Sequence, residues 1–101
     1  MFELFQTEWC PASHRVRQRL TELGLAYVVR QVPVEREARS ELRARCGVET
    51  IPALVADGDV VAGEEAILAY LSEHVVEPLD AESHRQKAET VRRRRLEEAT
   101  R

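Results

Sequence analysis

The residues best suited to covalent chemistry lie in positions 9–13, which read WCPAS. Pro11 favours the first turn of a helix because it has no N–H to lose there, so Cys10 falls at a strand–helix junction. A cysteine at a helix N-terminus faces unpaired N–H groups and the positive end of the helix dipole. Such cysteines have a pKa of roughly 3.5–7.5, compared with about 8.5 for a free cysteine, and the thiolate is the nucleophilic form. We therefore predict that Cys10 is a nucleophile and that the Ser13 hydroxyl donates to its sulfur.

Each of these residues also has a structural interpretation. Cys10 could be a small buried core residue, and we interpret Cys46 that way because it follows Leu42 by four positions on an apolar stripe. We interpret His14, one helical turn after Cys10, as a solvated side chain, and sharing the surface of Cys10 is its alternative. Trp9 either packs beside the thiol or forms a rim for substrates.

The sequence pattern of the first half of the chain predicts a strand–helix–strand unit that would place Cys10 at the start of the helix. Alternation over residues 2–5 predicts a strand, and the apolar spacing before Gly24 predicts a helix. A β-branched second strand follows at Tyr27–Val29 and Val32. Strand, helix and strand with one crossover form a right-handed βαβ unit, so the two strands should be parallel.

The second half predicts a helix, a hairpin and a last core helix. Residues 35–45 predict an amphipathic helix closed by Gly47, with Ala38, Leu42 and Cys46 on one stripe. Asp57-Gly58 between two apolar runs is a strong hairpin signal. The last core helix follows Gly63 and carries Ile67, Leu68, Leu71 and Val75 on one face. The predicted element order is therefore β-α-β-α-β-β-α.

The character of the chain changes at about Glu77, and Pro78 is expected to break the helix before it. We predict that residues 81–99 form a helix that docks weakly through Val91 and Leu96. Its partner is either its own domain or a second copy, so a homodimer stays open. Glutamates flank the arginine run 92–95, which we interpret as an ion-paired solvated face rather than a nucleic-acid site.

Chain length, net charge, apolar runs and cysteine spacing limit the class of protein further. A chain of 101 residues suits one core, and its net charge of −3 argues against a nucleic-acid binder. No apolar run approaches the roughly 20 residues of a membrane span, and the N-terminus lacks the basic region of a signal peptide. We therefore expect a cytoplasmic protein without membrane contact. The two cysteines have neither CxxC nor metal-ligand spacing, so neither a disulfide nor a metal is expected.

Three motifs in this order carry a family resemblance: Cys10-Pro11-x-Ser13, Thr50-Ile51-Pro52, and the segment GEEAIxxYL that begins at Gly63. Together with the element order, they resemble glutaredoxins and equally the N-terminal domain of glutathione transferases. The resemblance covers residues 1–76 and implies an α/β, thioredoxin-like fold of the glutaredoxin type with a four-stranded mixed sheet. Residues 77–101 then form a charged, helical C-terminal extension.

The resemblance also implies a site for a small thiol. Pro52 would be a cis-proline facing Cys10, leaving the main chain of Ile51 free to pair with a peptide-like thiol such as glutathione. Glu64 and Glu65 stand where the family holds the γ-glutamyl end, and their charge suits an ammonium group. Trp9 and Pro11 complete the expected binding residues.

Ser13 occupies the position where many glutaredoxins have a second cysteine. The resemblance therefore implies a monothiol oxidoreductase, in which Cys10 takes the small thiol from a protein or small-molecule mixed disulfide and a second free thiol releases it. Glutathione or another low-molecular-weight thiol would be the cosubstrate. Two alternatives stay open: a truncated, glutathione transferase-like module that binds thiols without turnover, and an iron–sulfur-bridged dimer. The chain lacks the Cys-Gly-Phe-Ser motif of glutaredoxins that bind such clusters.

Overall fold

The computed structural model of the chain describes residues 1–99, in which a four-stranded sheet carries helices on both faces. The strands are β1 (Phe2–Gln6), β2 (Tyr27–Gln31), β3 (Ala53–Ala56) and β4 (Asp59–Ala62). The helices are α1 (Pro11–Glu22), α2 (Ser40–Cys46), α3 (Glu64–His74) and α4 (Ala81–Ala99), with a short 3₁₀ turn at Arg36–Ala38.

The sheet has the strand order β2-β1-β3-β4. Strand β1 pairs in parallel with β2 and antiparallel with β3, and β3 pairs antiparallel with β4. In the β3–β4 turn, Asp57 has φ 50° and Gly58 has φ 95°. Two consecutive positive φ angles match the right-handed twist of the flanking strands, which is why an Asp-Gly pair suits this turn. The predicted mixed sheet and hairpin are thus confirmed.

Two apolar clusters, one on each face of the sheet, position the ends of the strands. Leu4 of β1 faces Val16 and Leu20 of α1 and Leu71 of α3, all with an exposed fraction of 0%. The next residue of β1, Phe5, points to the other face and packs in a second buried cluster with Leu42 of α2. Because β1 is covered on both faces, its C-terminal end and the loop that follows rest on a rigid base.

The predicted helix over residues 35–45 is wrong in its first half. The chain forms only a 3₁₀ turn there, and α2 begins after Arg39, whose φ of −88° and ψ of 47° are not helical. The guanidinium of Arg39 is buried and donates to the carbonyls of Pro33, Val34 and Glu49, at 3.0, 3.1 and 2.8 Å. These contacts bind the neighbouring loops together at the point where the helix would have continued, and Ala38 is exposed rather than on the buried stripe.

The C-terminal helix is present as predicted, but its docking differs from the expectation. Val91 is half-buried, as expected of an anchor, whereas Leu96 is 64% exposed. The fully buried residue of α4 is Ala81, and Arg85 pairs with Glu77 at 2.8 Å. Helix α3 ends at His74, so Val75 lies just beyond it, three residues before Pro78. No helix in residues 1–99 combines the length and apolar character needed to cross a membrane.

Deleting residues 79–101 should leave the alkylation rate of Cys10 nearly unchanged. Helix α4 makes polar contacts with α1, such as the 3.3 Å hydrogen bond from Arg92 to Gln18, and none of its residues lies in the Cys10 loop. Iodoacetamide labelling of the shortened and full chains at several pH values would measure this. A shortened protein that unfolds, or whose Cys10 loses reactivity, would mean that α4 is part of the core.

Candidate active site

Cys10 occupies the N-cap position of α1, and its side chain is partly exposed. Its Sγ atom accepts a hydrogen bond of 3.4 Å from the main-chain N–H of Ser13, one of the donors that a helix start leaves unpaired. Pro11 stands at the first helical position, as expected. The thiol is therefore both accessible and held at the positive end of the helix.

Two opposing influences set the pKa of Cys10. Partial burial raises it, but the Ser13 hydroxyl, the N–H groups of Ser13 and Ala12, and the positive charge of Arg15 lower it. The lowering influences outweigh burial, so the pKa of Cys10 lies below its ordinary value. A larger fraction of the thiol is consequently ionised at neutral pH.

The main chain of Thr7 forms hydrogen bonds that fix the Cys10 loop. Its C=O accepts from the N–H of Cys10 and from the guanidinium of Arg17, both at 3.4 Å. Its N–H donates to the hydroxyl oxygen of Ser13, also at 3.4 Å. Ser13 is fully buried, so its hydroxyl has a fixed place between Thr7 and the thiol loop.

The Ile51–Pro52 segment leads into β3, and its peptide bond is cis. The C=O of Pro52 accepts a 2.8 Å hydrogen bond from the N–H of Gly63, the residue that precedes α3. The side chain of Ile51 packs against the cluster that contains Phe5. This loop is therefore tied to the start of α3, where Glu64 and Glu65 lie.

A bidentate ion pair connects the start of α1 to the start of α3. Arg15 donates from Nε and Nη2 to the two carboxylate oxygens of Glu64, at 2.5 and 2.8 Å. The hydrogen bond from Arg15 lowers the pKa of Glu64, so the pair is ionised. Glu64 thus already has a cation, whereas Glu65 is exposed and has no ion-pair partner in residues 1–99.

The remaining predicted residues fall into two groups. Trp9 is 61% exposed beside the thiol loop, which favours the rim interpretation, and His14 is exposed on α1. Cys46 lies half-buried against the cluster on the other face of the sheet, and burial raises the pKa of its thiol. At Cys46, burial outweighs the positive charge of Arg45, which lowers the pKa, so the balance is the opposite of that at Cys10.

Arg15 is the residue of the site that sequence reasoning missed. It brings a positive charge near Cys10 while Glu64 holds it in place. Its position five residues after the cysteine, on the same helix, is the only signal in the sequence, and that signal cannot specify the partner 49 residues away. Within residues 1–99, no three His, Cys, Asp or Glu side chains are grouped to hold a metal ion.

The chain matches a known protein family over more than half of its length. The glutaredoxin family model matches residues 2–61. Comparison with curated proteins by sequence gave no match.

Solved structures with the same fold include transferases and a small thioredoxin-like protein. Glutathione S-transferase 1-6 from Anopheles dirus species B is 25% identical with a TM-score of 0.67, and the match covers 75% of this chain and 37% of that one. FzlA from C. crescentus is 28% identical with a TM-score of 0.63, covering 76% and 35%. The thioredoxin-like protein BC3987 is 27% identical with a TM-score of 0.61, covering 72% of this chain and 97% of its own. The match spans only 35% to 40% of the length of the first transferase structures.

Proposed function

The chain belongs to the glutaredoxin family, and from that membership we propose that it is a monothiol oxidoreductase that acts on mixed disulfides of a low-molecular-weight thiol such as glutathione. The observation that carries this proposal is the partly exposed Cys10 thiol at the start of α1, with its lowered pKa. Ser13 stands where a second cysteine would be needed for an intramolecular disulfide.

The reaction has two thiol–disulfide exchanges. The Cys10 thiolate attacks the glutathione sulfur of a protein–glutathione disulfide; the S–S bond breaks, and the protein thiolate leaves and takes up a proton. A second glutathione, as its thiolate, then attacks the glutathione sulfur bound to Cys10 and releases the Cys10 thiolate. The substrate disulfide is reduced to a thiol, and the one free glutathione that is consumed joins the transferred glutathionyl group as glutathione disulfide.

In this proposal, the small thiol lies against the residues that surround Cys10. The main chain of Ile51, before Pro52, pairs with its peptide-like backbone, and Trp9 with Pro11 forms the rim. Glu64 and Glu65 receive the ammonium group at its γ-glutamyl end. Glu65 supplies the free charge, because the carboxylate of Glu64 is already shared with Arg15. We place this chemistry in the cytoplasm, where small thiols are kept reduced.

The full chain should reduce a small glutathione mixed disulfide with glutathione as the electron donor. Because the enzyme carries the glutathionyl group between the two substrates, the kinetics should be ping-pong. The assay should be repeated with several other low-molecular-weight thiols to identify the cosubstrate. Absence of turnover with every thiol would contradict the proposed activity.

The second candidate function is a thiol-binding module of the transferase type that does not turn over. It is favoured by the transferase structures that share the fold, of which the chain matches less than half the length. This module would bind glutathione in a calorimetric titration but would neither reduce mixed disulfides nor transfer glutathione to an electrophile.

A further inference from the structure

A groove of about 670 Å³ runs between α1 and α4, next to the thiol loop but separate from it. Four permanently charged cations line it: Arg17, Lys87, Arg92 and Arg95. Glu22 is the one acidic residue in the lining.

Of the four cations in this groove, Arg17 has a carboxylate partner, since it lies 3.5 Å from Glu8, and the other three have none within residues 1–99. Glu22 is 3.1 Å from Arg19 and 3.5 Å from Arg85, so its charge is neutralised away from the groove. Lys87 and Arg95 have no carboxylate within ion-pair distance in residues 1–99, and Arg92 contacts only the neutral amide of Gln18. An uncompensated cluster of cations attracts an anionic partner.

The groove also has apolar walls, formed by Tyr27, Ala88, Val91 and Leu96. Leu96 is 64% exposed, so its apolar side chain is accessible to a partner. Cations alternating with apolar side chains fit a partner that combines carboxylates with apolar groups. A phosphate backbone would leave the apolar walls uncovered.

The length and position of the groove fit an extended peptide. Its lining residues on α4 run from His84 to Leu96, which is about 18 Å at 1.5 Å per residue. This length accommodates about five extended residues. The groove begins at His14, whose N–H donates to the C=O of Cys10 at 3.0 Å, so one end lies a single helical turn from the thiol.

We propose that this groove binds an acidic, partly apolar peptide segment that flanks the glutathionylated cysteine of a protein substrate. The inference rests on the proposed function for the statement that a glutathione mixed disulfide reacts at Cys10. The charge of the partner is inferred from the groove alone. In this proposal the C-terminal helix contributes to substrate selection, and the Cys10 loop determines the reactivity of the thiol.

Helix α4 offers a matched pair of variants. The groove variant R92E/R95E reverses two lining cations, and the control R93E/R94E makes the same charge change on arginines outside the lining. Circular dichroism and the alkylation rate of Cys10 establish that both variants are folded with an intact thiol loop.

Binding is measured first, by fluorescence anisotropy of a labelled peptide containing Glu and Leu and of its counterpart with Gln in place of Glu. We expect the acidic peptide to bind about tenfold more tightly or better at low salt, and to weaken as salt rises. R92E/R95E should lose this preference and R93E/R94E should retain most of it. Equal affinity for both peptides, equal losses in both variants, or tighter binding of a single-stranded oligonucleotide would overturn the proposal.

Turnover is measured second, with the same peptides carrying a glutathionylated cysteine. We expect kcat/KM for the acidic peptide to fall in R92E/R95E while the rate with a small glutathione disulfide stays unchanged. If no mixed disulfide is reduced, the proposed function fails, and the anisotropy comparison still decides the groove. A fall in kcat/KM that is equal for the acidic peptide and the small disulfide would overturn the role of the groove.

Discussion

Replacing Cys10 by serine should lower the mixed-disulfide reductase activity by at least about a thousandfold, because a serine hydroxyl is not ionised at neutral pH and cannot form the disulfide intermediate. Serine is a good N-cap, so the helix start and the fold should survive the substitution. Assays of the purified variant with a glutathione mixed disulfide, with thermal unfolding alongside, would measure both effects.

Cys46→Ser provides the matched control. Cys46 lies against the cluster on the other face of the sheet, and burial raises the pKa of its thiol. Its removal should leave the activity within about twofold of the parent protein. If activity survives the loss of Cys10, or disappears with the loss of Cys46, then Cys10 is not the reacting thiol.

Replacing Arg39 by methionine should destabilise the protein by about 2–4 kcal/mol. The change keeps an apolar stem of similar length but removes the donors that satisfy the carbonyls of Pro33, Val34 and Glu49. Leaving a partly buried carbonyl without its charged donor lowers the free energy of unfolding by more than an average hydrogen bond contributes. Urea unfolding would report the difference in the free energy of unfolding.

The control for this prediction is Arg36→Met, which removes an arginine three residues earlier. Arg36 pairs with Glu49 at 3.1 Å, but its side chain is 67% exposed, so its loss should cost only about 0–1 kcal/mol. If the two variants unfold at the same urea concentration, the three carbonyl contacts of Arg39 do not stabilise this region.

Much of the fold follows from short-range signals that act within a few residues. Asp57-Gly58 supplies the positive φ angles of its turn, and Pro11 is suited to the helix start that it occupies. Cys10 could be placed at the N-cap for the same reason, since its neighbour in sequence determines where the helix begins. These are properties of adjacent residues and need no knowledge of distant contacts.

The misjudged features depend on contacts between distant parts of the chain. The amphipathic pattern of residues 35–45 could not indicate that Arg39 leaves the helix to reach the carbonyl of Glu49. Leu96 was expected to anchor the tail, but the fully buried residue of α4 is Ala81 in its first turn, and the Leu96 side chain is exposed. Likewise, the pairing of Arg15 with Glu64 joins two helix starts that only the folded sheet brings together.

The pH dependence of Cys10 alkylation, measured on the Cys46→Ala variant, tests most directly whether Cys10 is an activated thiolate. Alkylation follows the thiolate fraction, so a lowered pKa moves the rise in rate to lower pH. We predict a midpoint below the value of about 8.5 for free cysteine, and a shift to higher pH when Ser13 is also replaced by alanine. A midpoint at or above about 8.5 in the Cys46→Ala variant would contradict the assignment of Cys10 as the nucleophile.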